Sequence, residues 1–403
     1  MSAPGSAPGT DPGNDPGAVG AACGLAAFTA APGPVVDFGP GALARLGDHA
    51  PRREVVLVTD PGLRAVGIAD DAVAALQRAG CVVAVVDDVG GNPTTDSVEA
   101  GAARAREAFP GEGAGACVVA LGGGSALDAA KGIALLAADP QLRVTDAPRR
   151  AGWPVVAVPT TAGTGAETNG FGVLEDPRAH RKVYCGDASV TPRTAVLDPL
   201  LTHGLPVPAT AATGVDALVH GVESLVSRGR NPVSEAFAAE AVRRAWRWLP
   251  VVVADGADPR ARAEMLVAAH LAGQALTRSG LGLVHGLAHA LTAHTGTVHG
   301  RALGAVLGEV VAWSLEDPAA GPADEAGWLR VADVLGTTVT ALPDVLAARC
   351  RQVGVPTGLD ALGVDPGLAP ALAATAAADP VSANAPRRVA DAADAEVLLA
   401  RCR

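Results

Sequence analysis

Between residues 54 and 159 the chain alternates short, unbroken apolar runs with longer stretches whose apolar positions recur at helical spacing. The runs EVVLVTD (54–60), CVVAVVDD (81–88), ACVVAL (116–121) and WPVVAVP (153–159) predict strands covered on both faces. The stretches 69–79, 96–107 and 125–138 predict helices, each opened by an Asp or Ser at a plausible cap. This alternation is a βαβ rhythm, which calls for an open parallel sheet. Near residue 170 the rhythm changes. FGVLE, DPRAH and RKVYC read as a hairpin, followed by a last strand, TAVLDP, that ends at Pro199. Beyond residue 206 no strand is predicted, and Ala/Leu/Val stretches with helical spacing, such as 231–253 and 259–277, take over. The expected organisation is a flexible Gly/Pro/Ala tail at 1–22, an α/β domain at 23–205 and an all-helical domain at 206–403.

Composition narrows the function more than the fold. With 403 residues, 49% hydrophobic and 18% charged, the chain is no disordered polyampholyte. No run approaches the roughly 20 uncharged apolar residues of a spanning helix, so a soluble protein without membrane contact is expected. A net charge of −11 offers no basic face to a phosphate backbone and argues against nucleic acid. The first basic residue is Arg45, so neither a secretory signal nor a transit peptide is expected. Cys23, Cys81, Cys117, Cys185, Cys350 and Cys402 lie far apart and read as reduced thiols in a cytoplasmic protein. Of the 31 basic residues only Lys131 and Lys182 are lysines, a bias that favours sites where a compact ammonium outperforms a guanidinium.

Two glycine-containing loops follow predicted strands. In LGGGSALDAAKG (121–132), glycines lead into a helix start, where free N–H groups and the dipole suit a phosphate. The competing reading is a plain capped helix, with Ser125 and Asp128 as a capping pair. In VPTTAGTGAE (158–167), Thr160, Thr161 and Thr164 sit at a strand's C-terminal end, where open α/β sheets bind ligands. Asp60, closing the first strand, could accept from ribose hydroxyls and repel a 2′-phosphate, or simply start the Asp60-Pro61-Gly62 turn.

The strongest pattern lies in the helical half. TGVDALVHGVES (213–224) puts Asp216 and His220 four residues apart on one helical face. GLVHGLAHALTAHTGTVHG (282–300) holds His285, His289, His294 and His299, four of the nine histidines. One carboxylate with three imidazoles makes a mixed N/O site for a divalent first-row metal such as Fe²⁺ or Zn²⁺. Spacing alone leaves open which three histidines ligate.

Taken in order, FGPGALARLG (38–47), the two glycine loops, the Asp/His helix, the histidine stretch and NAPR (384–387) resemble the iron-containing (group III) alcohol dehydrogenases, related in fold to glycerol dehydrogenase and dehydroquinate synthase. The resemblance implies an α/β N-terminal dinucleotide-binding domain with a parallel sheet, an all-helical C-terminal domain and a cleft between them. It implies Asp216, His220, His285 and His299 as ligands to Fe²⁺, with Zn²⁺ as the alternative, and His289 as a catalytic proton relay near the nicotinamide. Asp60, Gly123, Gly124, Ser125, Asp128, Thr160, Thr161, Thr164 and Lys182 would contact the coenzyme, NAD rather than NADP. The expected activity is hydride transfer between NAD(H) and a small primary alcohol or aldehyde, in a homodimer or higher homo-oligomer. Alternatives are a reductase of a substituted, anionic aldehyde held by Arg301 or Arg278, a maleylacetate reductase-like enzyme, a dehydroquinate synthase-like lyase, and a silent binding protein. Asp216-Ala217 stands where the maleylacetate reductase branch often has Asn-Ala, which argues against that branch. The chain departs from the family's usual residues at Ala290, Val298, Leu303, Gly308 and Glu309, which bears on the substrate pocket rather than on the ligands.

Overall fold

The apolar runs at 54–60, 116–121 and 153–159 form strands buried on both faces, whereas the run at 81–88, expected to be covered likewise, forms an edge strand that is mostly half-buried. The computed structural model describes residues 28–110, 115–178 and 181–403, so the tail expected at 1–22 and Cys23 lie outside the described residues. Residues 28–32 have no regular structure. Six strands, β1 (Val35–Phe38), β2 (Glu54–Val58), β3 (Val82–Val86), β4 (Ala116–Gly122), β5 (Val155–Pro159) and β8 (Thr194–Leu197), form a parallel sheet in the order β1-β8-β5-β4-β2-β3. Along each strand alternate residues serve opposite faces. Val55, Leu57, Val119 and Leu121 pack beneath Leu43, Leu46 and Leu76, while Val56, Val58, Val118 and Ala120 pack against Val98, Leu127 and Ile133. The edge strand β1 went unpredicted because Val35, Val36 and Phe38 are exposed and the run is only four residues long.

The connecting helices are α1 (Pro61–Ala65), α2 (Ile68–Arg78), α3 (Thr95–Ala108) and α4 (Gly124–Ala138). Their starts differ from the Asp/Ser caps expected. Only α3 of the three long ones carries a side-chain cap, from Thr94; α2 and α4 begin at Gly67 and Gly123 with none. Strand β2 lies between β3 and β4, so the chain leaves it first to one side and then to the other. The C-terminal ends of β2 and β4 therefore open a crevice, the place where doubly wound sheets bind ligands. The hairpin predicted near residue 170 is present as β6 (Phe171–Asp176) and β7 (Arg181–Gly186), paired antiparallel.

From Val207 the chain is helical: α5 (Val207–Val226), α6 (Pro232–Ala254), α7 (Pro259–Ser279), α8 (Leu283–Thr295), α9 (His299–Leu315), α10 (Pro322–Leu335), α11 (Leu342–Gln352), α12 (Ala369–Ala378) and α13 (Ala392–Arg401). Helix α5 is buried on nearly every face, as expected of a helix apolar all round, and it forms the axis of the largest core. Among the described residues no single helix is long and apolar enough to cross a membrane. Cys81, Cys117, Cys185, Cys350 and Cys402 are buried free thiols, as composition led one to expect.

Candidate active site

A cleft of about 1150 Å³ runs from the crevice of the sheet into the helical half. The expected metal ligands, proton relay and coenzyme contacts all line it: Asp60, Gly123, Gly124, Ser125, Asp128, Thr160, Thr161, Thr164, Lys182, Asp216, His220, His285, His289 and His299. Its size exceeds the range of about 300–1,000 Å³ usual for one small ligand, leaving room for a dinucleotide and a second small molecule.

The sheet end of the cleft is made mostly of backbone. Gly122 has φ +151°, and a side chain there would run into Ala126 and approach Asp60 Oδ2. A Cβ on Gly124 would lie 2.5 Å from Thr164 Cγ2, so the two glycine loops interlock at this point. The start of α4 keeps its first N–H groups free of any side-chain cap, which removes the capping-pair reading of Ser125 and Asp128. Asp128 turns instead to the hairpin, accepting from Val173 N at 3.0 Å and from Lys131 Nζ at 3.2 Å; burial raises its pKa against the pull of Lys131. Lys131 is wholly buried, and its ammonium also reaches Asn169 Oδ1 at 3.0 Å and the Phe171 carbonyl at 2.6 Å. It fastens α4 to the hairpin. Lys182 lies in the cleft, donating to Asn92 Oδ1 at 3.3 Å, and burial lowers its pKa despite Glu175 and Asp128. Asp60 caps α1 through Oδ1, which accepts from Leu63 N at 3.0 Å, and also lines the cleft, so the turn and ligand readings coexist.

The helical end is made of side chains. Asp216 and His220 share a face of α5, His285 comes from the first turn of α8, and His299 opens α9. Gly300 lets α9 begin directly against the α5 backbone at Ala212, where a side chain would not fit. The Nε2 atoms of His220, His285 and His299 lie 3.4, 3.5 and 3.8 Å from one atom, Asp216 Oδ1. Asp216, His220 and His285 form the tightest group, with one ligand atom from each within 4.8 Å of the others. Asp216 Oδ1 and His285 Nε2 are buried with no hydrogen-bond partner. Orphaned atoms of this kind are costly, and a divalent cation among them satisfies all of them at once. The donor set therefore fits the metal that the spacing implied.

Electrostatics agree with that fit. Burial pushes His220 down to about 4 and His299 down to about 3, so both rings are neutral with lone pairs available. Burial pushes His285 the same way, but Glu223 and Asp216 outweigh it and raise it to about 9. A metal entering the site displaces that proton. Burial works to raise Asp216, yet the facing imidazoles hold it well below the usual carboxylate range.

Three residues of this end were missed from sequence. Glu223 meets His285 Nδ1 at 2.5 Å and Asp379 meets His289 Nδ1 at 2.8 Å, while burial and the nearby Asp379 hold the phenol of Tyr184, the chain's one tyrosine, above its usual range. Glu223 was findable, since it continues the Asp216/His220 face at i+7; Asp379 stands alone in an alanine-rich stretch with no local signal. His294 lies apart, on Thr375, and Arg301 is exposed and does not line the cleft, whereas Arg278 does.

With this geometry in view, the comparisons with known proteins are specific. The family profile of iron-containing alcohol dehydrogenases matches residues 34–199, and that of the C-terminal part of the Fe-containing alcohol dehydrogenase family matches residues 210–401. NAD-dependent methanol dehydrogenase of Bacillus methanolicus is 32% identical over 348 residues, spanning 82% of this chain and 88% of that protein. A 4-hydroxybutyrate dehydrogenase of Cupriavidus necator is 35% identical over 355 residues, spanning 82% and 87%. A crystal structure of 1,3-propanediol oxidoreductase superposes with a TM-score of 0.85 at 30% identity, covering 94% of this chain and 100% of that one. With both halves of the chain matched, this chain belongs to the iron-containing alcohol dehydrogenase family.

Proposed function

We propose that this protein is a metal-dependent oxidoreductase that transfers a hydride between NAD(H) and a small primary alcohol or aldehyde. The observation that carries the reading is the convergence of three imidazole Nε2 atoms on the unpartnered Asp216 Oδ1. Asp216, His220, His285 and His299 hold an Fe²⁺ ion, and the same donors accept Zn²⁺. Bound there, the cation supplies Lewis acidity to the substrate oxygen. Bound along the sheet end, the nicotinamide coenzyme supplies the hydride acceptor or donor.

The chain's own residues do the rest. The free N–H groups at Gly124 and Ser125 receive pyrophosphate, and Thr160, Thr161 and Thr164 flank it with hydroxyls. Asp60, through the oxygen not used in capping, accepts from ribose hydroxyls and repels a 2′-phosphate, which favours NAD over NADP. Lys182 contacts the coenzyme from the hairpin. Asp379 accepts a hydrogen bond from His289 Nδ1–H, which leaves Nε2 as the acceptor that takes the hydroxyl proton during oxidation. The dinucleotide domain ends and the metal-binding domain begins near residue 205, a reading supported by the gap between the two family matches. The protein acts in the cytoplasm as a homodimer or larger homo-oligomer.

Following absorbance at the NADH band with metal-loaded and chelated protein tests the assignment. Turnover of a short primary alcohol or aldehyde that vanishes on chelation and returns with Fe²⁺ or Zn²⁺ is expected. Equal activity after complete metal removal overturns it. Arg278 in the cleft favours a second reading, reduction of an aldehyde bearing an anionic group, and a higher kcat/KM for ω-hydroxy acids than for equal-length alkanols is its mark.

A further inference from the structure

We propose that Glu223 is the positioning residue of the metal centre: it fixes the tautomer of His285, so that the Nε2 lone pair faces the cation site. The inference rests on the metal centre proposed above.

Asp216, His220 and Glu223 lie at i, i+4 and i+7, so one helical face carries two metal-facing groups and a third, deeper acid. Glu223 is 4% exposed, and its two oxygens have different partners. Oε1 accepts from the backbone N–H of Val284 at 2.8 Å, and Oε2 meets His285 Nδ1 at 2.5 Å. Helix α8 has no side-chain cap of its own, since its N-cap is Gly282. The carboxylate of Glu223 therefore serves as that cap from a neighbouring helix, and negative charge is favourable at a helix start. A side chain on Gly282 would come within 2.9 Å of Oε1, so the glycine leaves room for this contact.

A carboxylate has acceptors and no donor, so the proton on the short contact belongs to Nδ1. In the neutral ring Nε2 is then a bare acceptor. It lies buried, 3.5 Å from another bare acceptor, Asp216 Oδ1, with no proton donor between them. Glu223 thus keeps a proton on Nδ1 whatever the charge of the ring, so that Nε2 is the atom left to ligate when a cation is present. The alternative is an imidazolium held between two carboxylates as a purely structural ion pair, with no preference for a metal. Buried carboxylate–histidine contact alone does not mark a metal site. Glu167 meets His270 Nδ1 at 3.1 Å, but there Nε2 is already bonded to Gln274.

Glu223→Gln separates these readings. Glutamine preserves size and can still accept from Val284 N, but its NH₂ group donates to Nδ1 and drives the ring proton onto Nε2, the metal-facing atom. Zn²⁺ affinity, read by competition with a chromophoric chelator on the apo-protein, is expected to fall about 10–100-fold in Glu223→Gln. Glu167→Gln is expected to leave it unchanged, with both variants folded by circular dichroism. Wild-type affinity in folded Glu223→Gln overturns the inference while leaving the metal centre intact, and so does an equal loss in Glu167→Gln. If neither wild type nor Asp216→Ala binds Zn²⁺, the metal centre itself falls, and the inference with it. Should Glu223→Gln not fold, ¹⁵N-histidine spectra of the Zn²⁺-loaded wild type decide. A protonated Nδ1 with a metal-shifted Nε2 at His285 supports the assignment, and an unprotonated Nδ1 overturns it.

Discussion

The two ends of the cleft recognise their ligands by different means. At the sheet end the lining is largely glycine and helix N–H groups, and Asp60, Ser125, Asp128, Thr164 and Lys182 already have protein partners. At the helical end four side chains converge, and three of their atoms, Asp216 Oδ1, His220 Nδ1 and His285 Nε2, are buried without a hydrogen-bond partner. A site made of backbone is graded, because losing one contact leaves the others. A site made of four side chains around one ion is cooperative, and removing one strands the remainder in low dielectric.

That contrast can be broken at either end. The largest effect is expected from Asp216→Ala, which removes the atom shared by all three imidazoles: metal content by atomic emission falls to background and kcat/KM by about a thousandfold or more. Next, His289→Ala or Asp379→Asn lowers kcat about 10²-fold with metal content unchanged, because only the proton acceptor or its orientation is lost. If metal content falls as well, the ring belongs to the coordination sphere. Third, Gly124→Ala drives a methyl group against Thr164 and raises KM for the coenzyme about tenfold, with Zn²⁺ affinity unaltered. A collapse of metal binding in that variant would show that the two ends are not independent. The smallest effect is chemical. Burial pushes Cys117, Cys185, Cys350 and Cys402 up to about 12, so at pH 8 these thiols resist alkylation until the protein is denatured. Rapid modification of any of the four by mass spectrometry contradicts their packing.

What could be read from sequence follows the same division. The metal cluster was legible because helical periodicity places i and i+4 on one face, and histidines among Ala and Leu stand out against apolar surroundings. The buried strands were legible from their unbroken Val runs. Strand β1 was not, since an edge strand half open to solvent needs no apolar pattern. Helix starts were misjudged at Gly67 and Gly123, where the folded chain turns on glycine instead of an Asp or Ser side chain. Asp379 was invisible because its partner is 90 residues away, and only the fold brings the two together. The lysine bias was informative at Lys131, whose one buried ammonium donates to Asp128, Asn169 and the Phe171 carbonyl.

The β6–β7 hairpin ties the two ends into one object. Lys182 and Tyr184 are two residues apart on β7, so they project from the same face of a short ribbon whose root is pinned by Lys131. Both line the cleft, Lys182 bonded to Asn92 and Tyr184 close enough to Asp379, the carboxylate behind His289, to feel its charge. Any tilt of the ribbon moves an ammonium and a phenol in the same direction. Under the proposed function, loading the cleft with coenzyme and setting the His289 imidazole become mechanically one adjustment.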